Sequence, residues 1–122
     1  MPILEVELVE DPAAPPRGDL ARRIADAAGA VFGSDPGTTW VKLGVIPAGR
    51  YAENGADADA AGPPVFVKVL KWKPPEGAEL EREIAALSAA VAEACGRPLD
   101  RVHVLYQPPG AGRVAFGGHL AT

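Results

Sequence analysis

The sequence predicts an α/β fold: two β-α-β repeats forming a four-stranded mixed sheet with two helices on one face. Three observations carry this. The 122-residue chain repeats itself, Ala48-Gly49-Arg50-Tyr51-Ala52-Glu53-Asn54-Gly55 being echoed by Ala111-Gly112-Arg113-Val114-Ala115-Phe116-Gly117-Gly118. Each half carries an apolar stripe at helical spacing, Leu20, Ile24, Ala27 and Val31 in the first and Leu80, Ile84, Leu87 and Val91 in the second. Each stripe lies between two short runs rich in β-branched residues. A strand–helix–strand unit of this length closes as a right-handed crossover between parallel strands.

The first strand spans 2–9, where Leu4, Val6 and Leu8 alternate with Ile3, Glu5, Glu7 and Val9. Prolines between Asp11 and Arg17 stop it before a helix at about 19–32. Gly33 to Gly37 end that helix, and a strand follows at 39–46, containing Val41-Lys42-Leu43-Gly44-Val45. The polar stretch from Pro47 to Pro63 joins the repeats and is too long for a tight hairpin. The second repeat runs through a strand at 64–72, a helix at about 77–95, a Gly96-Arg97-Pro98 stop and a strand at 101–107. Pro2-Ile3-Leu4 is matched with Pro64-Val65-Phe66, and Val41–Val45 with Val102-His103-Val104-Leu105-Tyr106. The tail from Pro108 to Thr122 is expected to make short turns or an extra hairpin. The whole of 1–122 reads as one domain, with repeats at about 2–62 and 63–122.

A net charge of −4, a pI near 5.1 and no block of basic residues argue against a nucleic-acid or anionic-membrane partner. No apolar run approaches the roughly 20 residues of a membrane span, and no signal peptide opens the chain. One cysteine, Cys95, and two histidines cannot build a structural zinc site. The expectation is a cytoplasmic protein with no disulfide and no metal. Both faces of the sheet carry apolar residues while only one has helices to cover it, so self-association is expected.

Position makes Pro2 the leading candidate for chemistry. Methionine is normally removed before a small second residue, which leaves Pro2 as a secondary amine at the end of a rigid strand. Such an amine is a base or a nucleophile towards carbonyls, and desolvation or nearby positive charge lowers its pKa towards neutrality. A proline opening a strand is also ordinary architecture.

With Pro2, the Gly49–Gly55 turn, Asp100-Arg101-Val102-His103-Val104 and the Gly112–Gly118 tail, nearly the whole chain resembles the tautomerase superfamily. The resemblance implies a homotrimer of β-α-β units with the N-terminal proline as catalytic base and no cofactor. It also assigns positions. Tyr51 falls where short members place an apolar aromatic beside the proline. Trp40 falls where they carry a carboxylate-binding arginine, so that contact is lost or replaced. Lys71 and Lys73 end the third strand near the paired arginines of decarboxylase and dehalogenase members, although lysine lacks the bidentate fork. His103 lies where a two-unit member has a tyrosine near the proline. Ala115 and Phe116 occupy the region of the dehalogenases' water-activating acid, which disfavours dehalogenation. Lys42, on the strand parity of Trp40, is a further substrate-binding candidate.

The expected function is tautomerisation of a small unsaturated keto or enol acid. Pro2 moves the proton, Lys71 and Lys73 hold the carboxylate, and His103 polarises the enolate oxygen or shuttles a proton. Decarboxylation or hydration of a similar acid by the same proline is the alternative within enzymes. A catalytically inert tautomerase fold and a ferredoxin-like binding module are the alternatives outside them.

Overall fold

The computed structural model describes residues 1–56 and 62–122. Its order is β1 (Ile3–Val9), α1 (Leu20–Phe32), β2 (Trp40–Ile46), β3 (Val65–Leu70), α2 (Gly77–Cys95), β4 (Val102–Tyr106), β5 (Ala115–Phe116) and β6 (His119–Leu120). Short 3₁₀ turns at Ala48–Arg50 and Leu99–Arg101 join these elements. The sheet order is β2-β1-β3-β4. β1 and β2 run parallel, as do β3 and β4, while β1 and β3 are antiparallel at the centre. Both units pair residue i with i+37, Ile3 with Trp40 and Val65 with Val102. Two copies of one unit have met along their first strands.

Alternation sorts the side chains. Leu4, Val6 and Leu8 of β1 and Val65, Val67 and Val69 of β3 are all fully buried beneath the helices. They meet Leu20, Ile24 and Ala28 of α1 and Leu87 and Val91 of α2. In α1 the buried small residue is Ala28 rather than the expected Ala27, the two being neighbours on one helical stripe. Each helix ends on a left-handed glycine, Gly33 at φ 65° and Gly96 at φ 64°, whose N–H caps a last-turn carbonyl. Face parity corrects the alignment of the repeats at their start. Leu4 shares the helix face with Val65 and Phe66 lies on the other, so Leu4 matches Val65. A shift of one residue would turn every side chain to the wrong side.

The opposite face has no helix and is less apolar than expected. Lys42, Glu5 and Lys68 form a charged row across three strands, with the Lys42 ammonium 2.9 Å from Glu5. The Glu5 carboxyl is held below its usual range, chiefly by its hydrogen bond with Lys42. Apolar residues flank the row, Ile3, Trp40 and Leu70 at one end and Phe66 at the other, and Leu105 continues the row on β4 beside Lys68. No described helix is long and apolar enough to cross a membrane.

Candidate functional site

Pro2 stands at the head of the central strand, half-buried, and its carbonyl accepts the Trp40 N–H at 3.0 Å. The Trp40 indole N–H is held by the Gly37 carbonyl at 2.9 Å. Its ring meets Phe116 edge-on, with centroids 5.5 Å apart and planes at 77°. Phe116 arrives on the C-terminal hairpin, whose Gly117-Gly118 turn takes φ 59° and 87°, the positive pair that a two-residue connection needs.

The tail reaches that place along the end of the sheet. Gly110 and Ala111 donate to the carbonyls of Lys71 and Trp72, and Gly112 to that of Ala121. A Cβ on Gly110 would lie 3.1 Å from Val114 and 3.3 Å from the Lys71 carbonyl, so any larger residue crowds this approach.

The two lysines at this end differ. Lys73 lies over the Trp72 ring at 4.2 Å and is exposed. Lys71 turns to the helix side, packs on the Phe32 ring and pairs with Glu83 at 2.8 Å. Glu83 also accepts from the Tyr106 hydroxyl. Burial, then the Glu83 carboxylate, push the Tyr106 phenol far above its usual range, so it remains a donor at any physiological pH. This differs from the expectation that both lysines face substrate: the side chain of Lys71 is only 18% exposed and already has a counter-charge.

Tyr51 and His103 gather elsewhere. Phe66 stacks obliquely between them, with centroids 5.8 Å from Tyr51 and 5.5 Å from His103. Phe66 pairs with Glu7, five residues along β1 from Pro2, which puts this cluster about 17 Å from Pro2. Within one chain, neither Tyr51 nor His103 comes to Pro2. Tyr51 donates to Glu53 at 2.6 Å, and Arg101 clamps the same oxygen at 2.6 Å while its Nε donates to the Gly62 carbonyl. Glu53 is held below the usual carboxylate range by Tyr51 first and Arg101 second, and Tyr51 is raised by Glu53. Lys42 lies in the charged row between the two ends, bound to Glu5.

Sequence reasoning missed Phe116, Glu83 and Glu53 as participants. Glu83 had a signal, because it interrupts the apolar stripe between Leu80 and Leu87. Clefts of about 900 Å³ beside the end of α1 and about 290 Å³ under the loop before it include none of the candidates. Cys95 borders the second, its thiol pushed up by burial. Among the described residues no three or more His, Cys, Asp or Glu converge as metal ligands.

Searches against protein-family models and curated proteins find no match to the sequence. Solved structures do match. Native fused 4-OT is 26% identical, with 98% of this chain and 95% of that one covered and a TM-score of 0.71. Pt0534 inactivated by 2-oxo-3-pentynoate is 22% identical over 98% and 94%, with a TM-score of 0.71. The macrophage migration inhibitory factor of Trichinella spiralis is 13% identical over 96% and 97%, again at 0.71. Other matches include fused 4-OT trimers, both symmetric and asymmetric, and a malonate semialdehyde decarboxylase. The chain has the fold of the tautomerase superfamily, with two β-α-β units in one polypeptide.

Proposed function

We propose that this single domain is an isomerase that tautomerises a small unsaturated keto or enol acid, with Pro2 as its base. The observation that carries the reading is Pro2 itself, fixed at the head of the central strand by the Trp40 N–H. With Met1 attached its nitrogen is an amide without basicity. With Met1 removed it is a secondary amine at a half-buried position, where partial desolvation disfavours the protonated form. The amine takes the hydroxyl proton of an enol acid, or the proton on the carbon next to the carbonyl of a keto acid, and returns it to another atom of the same conjugated system, so that one bond to hydrogen breaks as another forms. No electron leaves the substrate, so proton transfer needs neither metal nor organic cofactor. Lys73, exposed just beyond β3, holds the carboxylate.

A homotrimer belongs to the same reading. Fused 4-OT proteins form trimers, and the unhelixed face of this sheet combines apolar ends with a charged row suited to a second copy. Because Tyr51 and His103 stand far from Pro2 in one chain, any role for them at the amine, His103 as proton shuttle included, calls for a neighbouring subunit.

The test pairs activity with labelling. Protein with Met1 removed should ketonise enol acids, while Pro2→Ala and Met1-retaining forms should lose at least about two decades, the usual worth of a positioned base. The alkynyl keto acid that inactivates Pt0534 should add to the Pro2 nitrogen, seen by peptide mass spectrometry. Equal turnover with Met1 attached would end the proline-base mechanism, and an inert amine would favour a binding protein of this fold.

A further inference from the structure

We propose that Arg113, carried by the tail that follows β4, binds substrate at the Pro2 end of the sheet: with Lys73 it grips one carboxylate and fixes the plane in which the acid meets the amine. This rests on the reading of Pro2 as the base. Each repeat ends in a Gly-Arg turn, Gly49-Arg50 after β2 and Gly112-Arg113 after β4. The two units meet antiparallel, β1 against β3, so these turns leave opposite ends of the sheet. Arg50 follows the end of β2, beside the end of β1, whereas Arg113 follows the end of β4, on the side where β1 begins. The register Ile3–Leu70 brings Pro2 towards Lys71, and the Lys71 and Trp72 carbonyls hold Gly110 and Ala111 at 2.9 and 3.0 Å.

Reach and charge point the same way. Ala111 is bonded to the residue before Lys73 and lies two before Arg113, a span of roughly 7 Å at full extension. The turn is tighter than that, since the Arg113 and Val114 N–H groups both fold back to the Gly110 carbonyl. A lysine and an arginine rooted this close can meet at one carboxylate, whose two oxygens offer about four acceptor sites. Both side chains are exposed, and the ion pairs formed among the described residues leave out Lys73, Arg113 and the neighbouring acid Glu76. Lys71, also at this end, is taken by Glu83. The two cations differ in kind. Lys73 is a point charge resting on the Trp72 ring and sets no orientation. A guanidinium presents parallel N–H groups in one plane and fixes the plane of the carboxylate it binds. In a conjugated enol acid that plane is shared by the reacting carbons, so the acid is presented to Pro2 in one orientation.

The experiment uses full-length protein with Met1 removed, phenylenolpyruvate as substrate and 2-oxobutyrate as a binding probe. Arg113→Ala should raise KM about tenfold or more, the worth of a charge-assisted contact. Arg113→Lys keeps the charge without the fork. Its KM should stay within about threefold of wild type while kcat falls several-fold, because the acid is held but no longer oriented. Wild-type kinetics in Arg113→Ala, or an Arg113→Lys variant indistinguishable from wild type, would overturn the proposal. Combining Arg113→Ala with Lys73→Ala completes a cycle, in which the double loss should differ from the product of the single losses by about threefold or more. Losses that simply multiply would put the two cations on different groups and end the shared grip. Equilibrium binding of 2-oxobutyrate, read by tryptophan quenching, needs no proton transfer and separates this idea from the catalytic one. If Pro2 proves not to be a base, affinity should still fall about tenfold in Arg113→Ala, and the uncharged methyl ester should bind weakly to wild type and variant alike. Undiminished affinity for the acid in Arg113→Ala would refute the grip by itself.

Discussion

Replacing Glu83 with Gln tests whether Lys71 is a packing residue or a substrate ligand. Glu83 receives the Lys71 ammonium at 2.8 Å and the Tyr106 hydroxyl, tying α2 to the ends of β3 and β4. Glutamine keeps the shape and an acceptor for Tyr106 but leaves Lys71 without a counter-charge. With the two side chains only 18% and 16% exposed, the lost charge-assisted bond is worth about 1.5–3 kcal/mol. Unfolding entropy of about 2.1 cal/mol/K per residue makes 1 kcal/mol equal to about 4 °C for this chain, so Tm should drop by about 6–12 °C. Circular dichroism melts at pH 7 and fixed protomer concentration measure this, since assembly makes Tm concentration-dependent. Lys71→Met, which keeps an apolar stem over Phe32, completes a double-mutant cycle. The double variant should be more stable than the sum of the single losses predicts, because no charge is stranded in it. Additive losses, or a Tm within about 2 °C of wild type in Glu83→Gln, would refute the argument. The same logic divides the lysines kinetically: Lys71→Met should lower Tm and spare KM, whereas Lys73→Ala should raise KM by about one to two decades.

Acid should loosen the loop that carries Tyr51. Folding lowers the pKa of Glu53, so the Glu53 clamp stabilises the chain fully above the unfolded value of about 4.3 and loses that effect as pH falls through the lower folded value. Glu53→Gln should therefore show a flatter fall of Tm with pH below about 4.3 than wild type, and matching slopes would remove the clamp from the account. Lys42→Glu sets like charges against each other on the open face; sedimentation of the untagged protein should show trimer giving way to a species near 12.6 kDa. A wild-type chain that is itself monomeric at micromolar concentration would sink the trimer. Gly118 takes φ 87°, a backbone conformation that costs a β-branched residue about 1–2 kcal/mol, so Gly118→Val should free the hairpin and shift Trp40 fluorescence to the red. An unmoved emission maximum would mean that Phe116 is held by other contacts.

The elements were legible because their signals are local. The spacing of Leu20 and Ile24, the alternation of Leu4, Val6 and Leu8, and the stops at Gly33 and Gly96 express backbone geometry within a few residues. Duplication added what a single unit could not: two crossovers of one kind make a four-stranded sheet with helices on one face. Pro2 was also visible, since only position separates it from any other proline. The surroundings of Pro2 were not. Tyr51 and His103 read as its neighbours by analogy of position, yet strand register sets them a strand's length away in the same chain. Lys71 and Lys73 read as a pair, but alternation sends Lys71 to the helix side, where Glu83 meets it. Phe116 reaches Trp40 only because the tail crosses the end of the folded sheet. Local periodicity decides which face a residue takes along its own strand or helix. Which distant residue shares that face depends on register and chain crossing, and these are settled only when the strands meet.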